Sequence, residues 1–145
     1  MFGRGEVTDV LVRVHAGQSF EPRRTTANQL SVKFTPKPGV RLEVGRLDAV
    51  LSAVVSAWYP AAAAIRDSRL IGLTRGRGSR SIPVGYRTWI GIAATQLVHS
   101  RDGVLVVPEA EGALIVVPDG WDPHQVVAAV LDTLQENNIT ALPAG

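Results

Sequence analysis

The sequence predicts an α+β fold in which helices pack on one face of a single-layer antiparallel or mixed β-sheet. Three observations lead to this class. Short segments in which every second residue is apolar predict strands in both halves of the chain. Two longer segments with apolar residues three or four positions apart predict helices. The elements follow one another as strand, strand, helix, undecided segment, strand, hairpin and helix, which is not the regular alternation of α/β folds.

The size and composition of the chain predict one folded domain. A chain of 145 residues has the length of one ordinary domain, so we expect a single globular domain over residues 1–145. The sequence is 46% hydrophobic and 19% charged, which is too apolar and too weakly charged for a disordered chain. It should therefore enclose one hydrophobic core.

The N-terminal part predicts two strands joined by a polar loop. Residues 7–16 are rich in β-branched side chains, and Val10, Val12 and Val14 fall on one side of an extended chain. Residues 30–34 alternate in the same way between apolar and polar side chains. The intervening segment, residues 17–29, is polar and predicts the loop.

The central part predicts the main core helix over residues 45–58. Its apolar residues have helical spacing and are Leu47, Val50, Leu51, Val54, Val55 and Trp58. Pro60 should end the helix because proline lacks the amide donor and clashes with the preceding turn. The alanines at 61–64 allow either a second short helix or a segment that crosses the core. The uncharged stretch at 50–65 has 16 residues, fewer than the roughly 17–25 of a membrane-spanning helix.

A third strand is predicted over residues 82–92, after an exposed glycine- and arginine-rich loop at 74–80. Side chains of such a strand alternate between its two faces. One face would carry Val84, Tyr86, Thr88 and Ile90, and the other Gly85, Arg87, Trp89 and Gly91.

The C-terminal part predicts a hairpin and a helix. Apolar runs at 104–107 and 113–117 flank a loop with proline and glycine, which is typical of a hairpin, and Glu109 and Glu111 fall at its tip. Asp122 is placed to cap the last helix, with Pro123 at its first position. The helical stripe that follows comprises Val126, Val127, Val130, Leu131 and Leu134.

Charge is distributed unevenly along the chain. Residues 1–87 contain 14 Lys and Arg against 6 Asp and Glu, whereas residues 88–145 contain one against seven. Two faces of opposite charge are one outcome of this asymmetry, and a surface of scattered charges is the other. The chain has no cysteine and no apolar leader at its N-terminus, so we expect a cytoplasmic protein.

The sequence offers no recognisable catalytic set. His15, His99 and His124 do not fall at the spacing of metal ligands, and no GxSxG elbow announces a serine nucleophile. The segment "GRGSR" lacks the pattern of a phosphate-binding loop. We therefore expect no enzyme activity, no cofactor and no metal, and a binding function takes precedence.

Two classes of binding partner remain, a protein or a nucleic acid. If Arg87 and Trp89 face solvent they resemble the residues that dominate protein interfaces, and if a helix covers them they belong to the core. The arginines between 66 and 87, beside Tyr86 and Trp89, could instead hold phosphates and stack bases, which makes a nucleic-acid-associated protein the alternative. The candidate partner-binding residues are Arg75, Arg77, Arg80, Tyr86, Arg87, Trp89, Glu109, Glu111 and Asp119.

Four segments carry a resemblance to a known family. They are "AWYP" at 57–60, "SIPVGYRTWIGI" at 81–92, "GVLVVPEAEGALIVVP" at 103–118 and "WDPHQVVAAVLDTLQ" at 121–135. In order and character they resemble the immunity proteins of bacterial polymorphic toxin systems, particularly the immunity protein 52 family. The resemblance covers residues 45–142, and it places Trp58, Gly85, Tyr86 and Trp89 at positions of the family pattern.

The resemblance implies a cytoplasmic α+β protein, encoded beside a toxin that is often a nuclease, which it neutralises by binding. Such an inhibitor can block an active site without chemistry, through an aromatic anchor ringed by complementary charge. If the toxin is basic, Glu109, Glu111 and Asp119 are the natural mimics of substrate charge. If it is acidic, the arginines between 75 and 87 take that role. The sequence leaves the oligomeric state open.

Overall fold

The computed structural model describes residues 7–15, 29–78 and 80–142. The chain divides into two compact units, Met1–Leu42 and Glu43–Gly145. The single domain expected over residues 1–145 stays a prediction.

The described residues of the smaller unit, 7–15 and 29–42, contain two antiparallel strands, β1 (Val7–His15) and β2 (Gln29–Pro36). Val10 pairs with Phe34 and Val14 with Leu30, and the register shifts between Val7 and Asp9. Both predicted N-terminal strands are confirmed. The loop predicted between them lies outside the described residues, except for its last position.

In the larger unit, residues 43–78 and 80–142 form one four-stranded sheet, three α-helices and two short 3-10 helices, Val44–Leu47 and Ala94–Gln96. In chain order the α-helices and strands are α1 (Asp48–Trp58), β3 (Ala62–Ile65), α2 (Ser68–Leu73), β4 (Arg87–Ile90), β5 (Leu105–Glu109), β6 (Gly112–Val116) and α3 (Pro123–Glu136). The strands lie in the order β3-β4-β6-β5, and each pairs antiparallel with its neighbour. The predicted α+β class and the antiparallel sheet are thereby confirmed.

One face of the sheet packs against α1. Leu51 and Val55 of α1 form a buried cluster with Trp89 of β4, and Leu114 of β6 packs on its margin. Trp58, which the predicted stripe assigned to the core, lies at the end of α1 and is 40% exposed. The contact with the sheet is therefore made by the middle of α1.

The opposite face of the sheet packs against α3. Val126 and Val130 of α3 join Ile90 and Ile115 in the main core cluster. Because Ile90 directly follows Trp89 in β4, its side chain points to the other face. The prediction of helices on one face is thus wrong in this detail. Large side chains line both faces of β4 and β6, so a helix must pack on each face to bury them.

The undecided segment after Pro60 is a strand and not a helix. Ala62–Ile65 forms β3, an edge strand that pairs with β4 from Ala62 opposite Ile90 to Ile65 opposite Arg87. The strand predicted over 82–92 is shorter than expected, since ladder pairing covers only Arg87–Ile90. A short helix that the sequence analysis did not identify, α2, begins directly after Asp67.

The cap predicted for the last helix is confirmed. The Asp122 carboxylate accepts a hydrogen bond from the His124 amide at 2.9 Å, and Pro123 occupies the first helical position. No helix in the described part of the chain is long and apolar enough to cross a membrane.

Candidate functional site

Arg87 is buried and donates hydrogen bonds to four oxygen atoms of the fold. Its side chain is 8% exposed, and its Nε and Nη1 donate to Asp48 Oδ1 and Asp119 Oδ1, both at 2.9 Å. Nη1 also lies 3.1 Å from the carbonyl oxygen of Tyr86 and 3.2 Å from that of Val117. One guanidinium therefore ties the start of α1 to the segment that follows β6.

The two carboxylates that hold Arg87 remain open to solvent on their other side. Asp48 and Asp119 are 47% and 51% exposed, and only one oxygen of each binds Arg87. Their Oδ2 atoms lie 3.9 and 4.0 Å from the point where a Cβ on Gly45 would stand. The outward oxygens thus converge on one region of the surface at the start of α1, where a negative charge also complements the helix dipole.

Trp89 belongs to the core beneath α1. The residue is 2% exposed, and its indole Nε1–H donates to the backbone carbonyl of Glu109 at 2.8 Å. Its ring lies directly on Gly112, where any side chain would clash with the indole carbons. Trp89 accordingly links β4 to the turn end of the β5–β6 hairpin.

Tyr86 belongs to the opposite face and is 5% exposed. Its hydroxyl donates to Asp67 Oδ2 at 3.0 Å. Burial raises the pKa of the phenol, and the hydrogen bond to Asp67 and its negative charge raise it further. Of the two alternatives for Arg87 and Trp89, an exposed anchor or part of the core, the structure has the core arrangement, because helices cover both faces of β4.

Asp67 joins Tyr86 to the start of α2. Its Oδ1 accepts from the Leu70 amide at 3.0 Å, and its Oδ2 accepts from Tyr86 and Arg69. Burial alone would raise the pKa of this carboxyl, but the hydrogen bonds from Leu70, Arg69 and Tyr86 outweigh it and hold the pKa below its ordinary value.

Replacing Asp67 by asparagine should change how stability depends on pH. A depressed pKa in the folded state stabilises the protein above the unfolded-state value of about 3.9, and this contribution disappears as pH falls through the folded-state pKa. Asparagine keeps the cap and loses the charge, so we expect a cost of about 0.5–1 kcal/mol at pH 7, given that the carboxyl is partly exposed. Urea unfolding from pH 2 to 7 measures it. A wild-type advantage that grows toward acid would contradict the assignment.

A cleft of about 380 Å³ opens between α1 and the sheet. It is lined by Asp48, Ala49, Leu51, Ser52, Arg87, Glu109, Leu114 and Val116. The apolar side chains form its floor, and carboxylates stand at its rim. One rim carboxylate is held in place, because Glu109 Oε1 accepts from Ser52 Oγ at 2.6 Å. We call this feature the acidic cleft.

The turn of the β5–β6 hairpin has an unusual backbone for its residues. Ala110 and Glu111 both have positive φ, 46° and 62°, and they form a two-residue loop between Glu109 and Gly112. This is the conformation of a type I′ turn, in which asparagine and glycine are preferred. Glu111 is exposed at the tip, as predicted, whereas Glu109, also predicted there, is the last residue of β5 and is half-buried.

Replacing Glu111 by glycine should stabilise the chain by about 1 kcal/mol, because a side chain at positive φ is disfavoured by roughly 1–2 kcal/mol. The matched control is Glu111→Ala, which removes the same charge but keeps the Cβ, and we expect little change from it. Chemical denaturation of the three proteins measures the effect. Equal stabilities for the two variants would show that the charge, and not the backbone, is responsible.

The predicted arginines of the glycine-rich loop lie apart from the acidic cleft. Arg75, Arg77 and Arg80 are exposed and none of them lines it. Arg77 Nη1 donates to the carbonyl of Ile82 at 3.0 Å, and Arg80 Nη2 to that of Leu142 at 3.3 Å. Since Tyr86 and Trp89 are buried, a nucleic-acid site here would depend on arginines alone.

Sequence reasoning identified Arg87, Glu109 and Asp119 but missed their partners. Asp48 and Ser52 fall within the predicted core helix and lie four positions apart, so they share one helix face. Asp67 carries the signal of an N-cap before a short apolar run, "DSRLIGL". Both signals were present in the sequence.

The described residues contain no group of three or more histidine, cysteine, aspartate or glutamate side chains that could hold a metal ion. Comparisons of the chain with models of protein families, with curated proteins and with solved structures gave no match.

Proposed function

We propose that the chain is a toxin-neutralising immunity protein, which binds a cognate bacterial toxin in the cytoplasm and covers its active site without doing chemistry. The observation that carries the proposal is the acidic cleft, because it joins an apolar floor to a rim of carboxylates. Apolar contact supplies affinity at protein interfaces, and complementary charge speeds encounter and fixes register.

The charge of the cleft favours a basic partner. Its rim carboxylates, Asp48 and Glu109, come from α1 and β5, and Asp119, which does not line the cleft, shares Arg87 with Asp48. Arg87 is enclosed between Asp48 and Asp119, so it neutralises one of these charges and presents little of its own to a partner. A nuclease must bind a phosphate backbone with a basic surface, which this rim would complement. Of the two target classes considered from the sequence, the basic one is therefore the better supported.

The buried polar residues support this function indirectly. Arg87 fixes Asp48 and Asp119, while Trp89 holds the backbone of Glu109 through its indole N–H. The rim is thus pre-organised before any partner arrives, and pre-organisation lowers the entropic cost of binding. In this proposal Tyr86, Arg87 and Trp89 shape the interface without forming its surface.

The decisive experiment is co-purification with a catalytically inactive form of the toxin encoded beside this chain. The informative variant is Ala49→Arg, because Ala49 is exposed, lines the cleft and takes part in none of the site's hydrogen bonds or ion pairs described above. A cation there should repel a basic toxin and weaken binding by about tenfold or more. The matched control is Ala57→Arg, the same change on the same helix about 12 Å farther along its axis, and it should bind like the wild type.

Two outcomes would count against the proposal. Equal binding by the Ala49→Arg and Ala57→Arg proteins would remove the acidic cleft from the interface. Loss of binding on replacing Arg75, Arg77 and Arg80, with the cleft variant unaffected, would point to an acidic partner. If no toxin binds and the chain instead shifts DNA or RNA with affinity that falls steeply with salt, the nucleic-acid alternative is correct.

A further inference from the structure

The outer edge of the sheet beside the acidic cleft has an unpaired strand. β5 pairs with β6 on one side, and within the described residues no strand pairs with its other side. Leu105, at the start of β5, is 62% exposed. An edge of this kind presents free backbone donors and acceptors to which another extended chain can add.

The register shows which backbone groups point outward. Residues opposite each other in an antiparallel ladder alternate between pairs that exchange two hydrogen bonds and pairs that exchange none. Pro108 pairs with Ala113 and has no N–H, so this pair is of the second kind. By alternation the Val106–Ile115 pair is also of the second kind. The N–H and C=O of Val106 and the C=O of Pro108 therefore face away from β6.

The face that carries the cleft continues across this edge. Leu105, Val107 and Glu109 point to the α1 side of the sheet, whereas Val106 packs on the margin of the main core on the other side. Because α1 contacts β3 and the middle of the sheet, Leu105 stays exposed and Val107 is only half-buried. A chain laid along β5 would place every second side chain beside these residues.

Charge complementarity indicates which chain fits. Glu109 and Glu111 stand at the turn end of β5, and Asp102 precedes its start. Arg101 is the one cationic residue between 88 and 145, and it is paired with Asp132 and Glu136. Both ends of β5 therefore carry carboxylates, and the one arginine near its start, Arg101, is already paired with two others.

We propose that β5 recognises an extended segment of a basic protein partner, whose side chains on the α1 side of the sheet are apolar beside Leu105 and Val107 and basic beside Glu109, and that this segment joins the sheet as a fifth strand. Backbone hydrogen bonds to Val106 and Pro108 give the pairing. Apolar side chains contact Leu105 and Val107, and basic side chains reach the carboxylate of Glu109. The inference rests on the proposed function only for the identity of the partner.

The test uses the full chain and two capped eight-residue peptides that carry threonine at every second position. On the other face one peptide has lysine, valine, valine and lysine in that order, and the other has glutamate in place of lysine. In an amide NMR titration we expect the lysine peptide to shift the signals of Val106 and its neighbours in β5, and to bind at least tenfold more tightly than the glutamate peptide. Shifts that leave β5 unaffected, or equal binding of the two peptides, would overturn the proposal.

Two sets of variants make the result specific. Val106→Pro removes an outward N–H that the hairpin does not use, and it should lower binding of the lysine peptide tenfold or more. Leu105→Arg and Leu105→Glu form a charge-matched pair at one exposed site, so the first should weaken binding and the second should keep it. If Val106→Pro prevents folding, the Leu105→Arg and Leu105→Glu proteins still test the proposal. Wild-type binding by the Leu105→Arg protein would contradict the inference.

The result can be separated from the proposed function. If the wild type and the Leu105→Arg protein neutralise a toxin equally well, the proposed function is supported and the proposed recognition at β5 is contradicted. If the peptide binds at β5 but no toxin binds the chain, the recognition at β5 is supported and the proposed function is contradicted. Self-association of the chain through β5, seen as a concentration-dependent dimer that Val106→Pro abolishes, would replace the proposed partner by a second copy and overturn the proposal.

Discussion

Replacing Gly112 by alanine is expected to lower the free energy of unfolding by about 3 kcal/mol, or Tm by about 10 °C. A Cβ at this position would overlap the indole carbons of Trp89 and would stand 2.6 Å from the carbonyl oxygen of Ile90. The ring has no free space, because α1 covers it and its N–H is bonded to Glu109. Relief would require β4 and β6 to separate or the indole to abandon its hydrogen bond.

Thermal and chemical unfolding measure the effect, and two further variants test its cause. Gly120→Ala is the control, since no atom lies within 4 Å of a Cβ there, and it should change stability by less than about 0.5 kcal/mol. In a Trp89→Leu background the added methyl group should cost less than half as much as in the wild type. A Gly112→Ala protein as stable as the wild type would show that Trp89 does not lie on Gly112.

Replacing Arg87 by methionine is expected to cost about 2–4 kcal/mol. Breaking a buried ion pair costs roughly 3–5 kcal/mol, and the value is reduced here because Asp48 and Asp119 are half exposed and can be hydrated. The Tyr86 carbonyl keeps the hydrogen bond from the Val117 amide, so the main losses are the two carboxylate partners and the Val117 carbonyl.

The matched control is the same substitution in an exposed ion pair. Arg69 pairs with Asp67 at 2.9 Å, but its side chain is 62% exposed, so Arg69→Met should lower Tm far less. The loss of stability caused by Arg87→Lys should lie between those of Arg69→Met and Arg87→Met, because an ammonium group cannot reach both carboxylates in the way a guanidinium does. Equal effects of the two arginine-to-methionine changes would refute the structural role of Arg87. Under the proposed function, the same Arg87 variants should also weaken binding of the toxin, since they release Asp48 at the rim of the acidic cleft.

Much of the fold follows from local patterns in the sequence. The Asp122 cap and the stripe from Val126 to Leu134 specify α3 without any knowledge of the rest of the chain. The β5–β6 hairpin is equally local, because its two strands are joined by two residues. Such elements depend on residues that are close in sequence, so periodicity and turn chemistry are sufficient to find them.

The elements that escaped prediction depend on long-range contacts. The alanines of β3 have no strand preference of their own, and they become a strand because the edge of β4 is available to pair with them. The burial of Arg87 could not be inferred from an alternating pattern, since the pattern separates two faces but does not say which is covered. Its two carboxylate partners lie 39 and 32 residues away.

The two-residue connection between β5 and β6 has a consequence for the kinetics of folding. It is by far the shortest connection within the sheet, whereas β4 must meet β6 across more than 20 intervening residues. Closing a short loop costs less chain entropy than closing a long one, and we expect this hairpin to be present early on the route to the native state. Relaxing its left-handed backbone through Glu111→Gly should then accelerate refolding and leave the unfolding rate nearly unchanged.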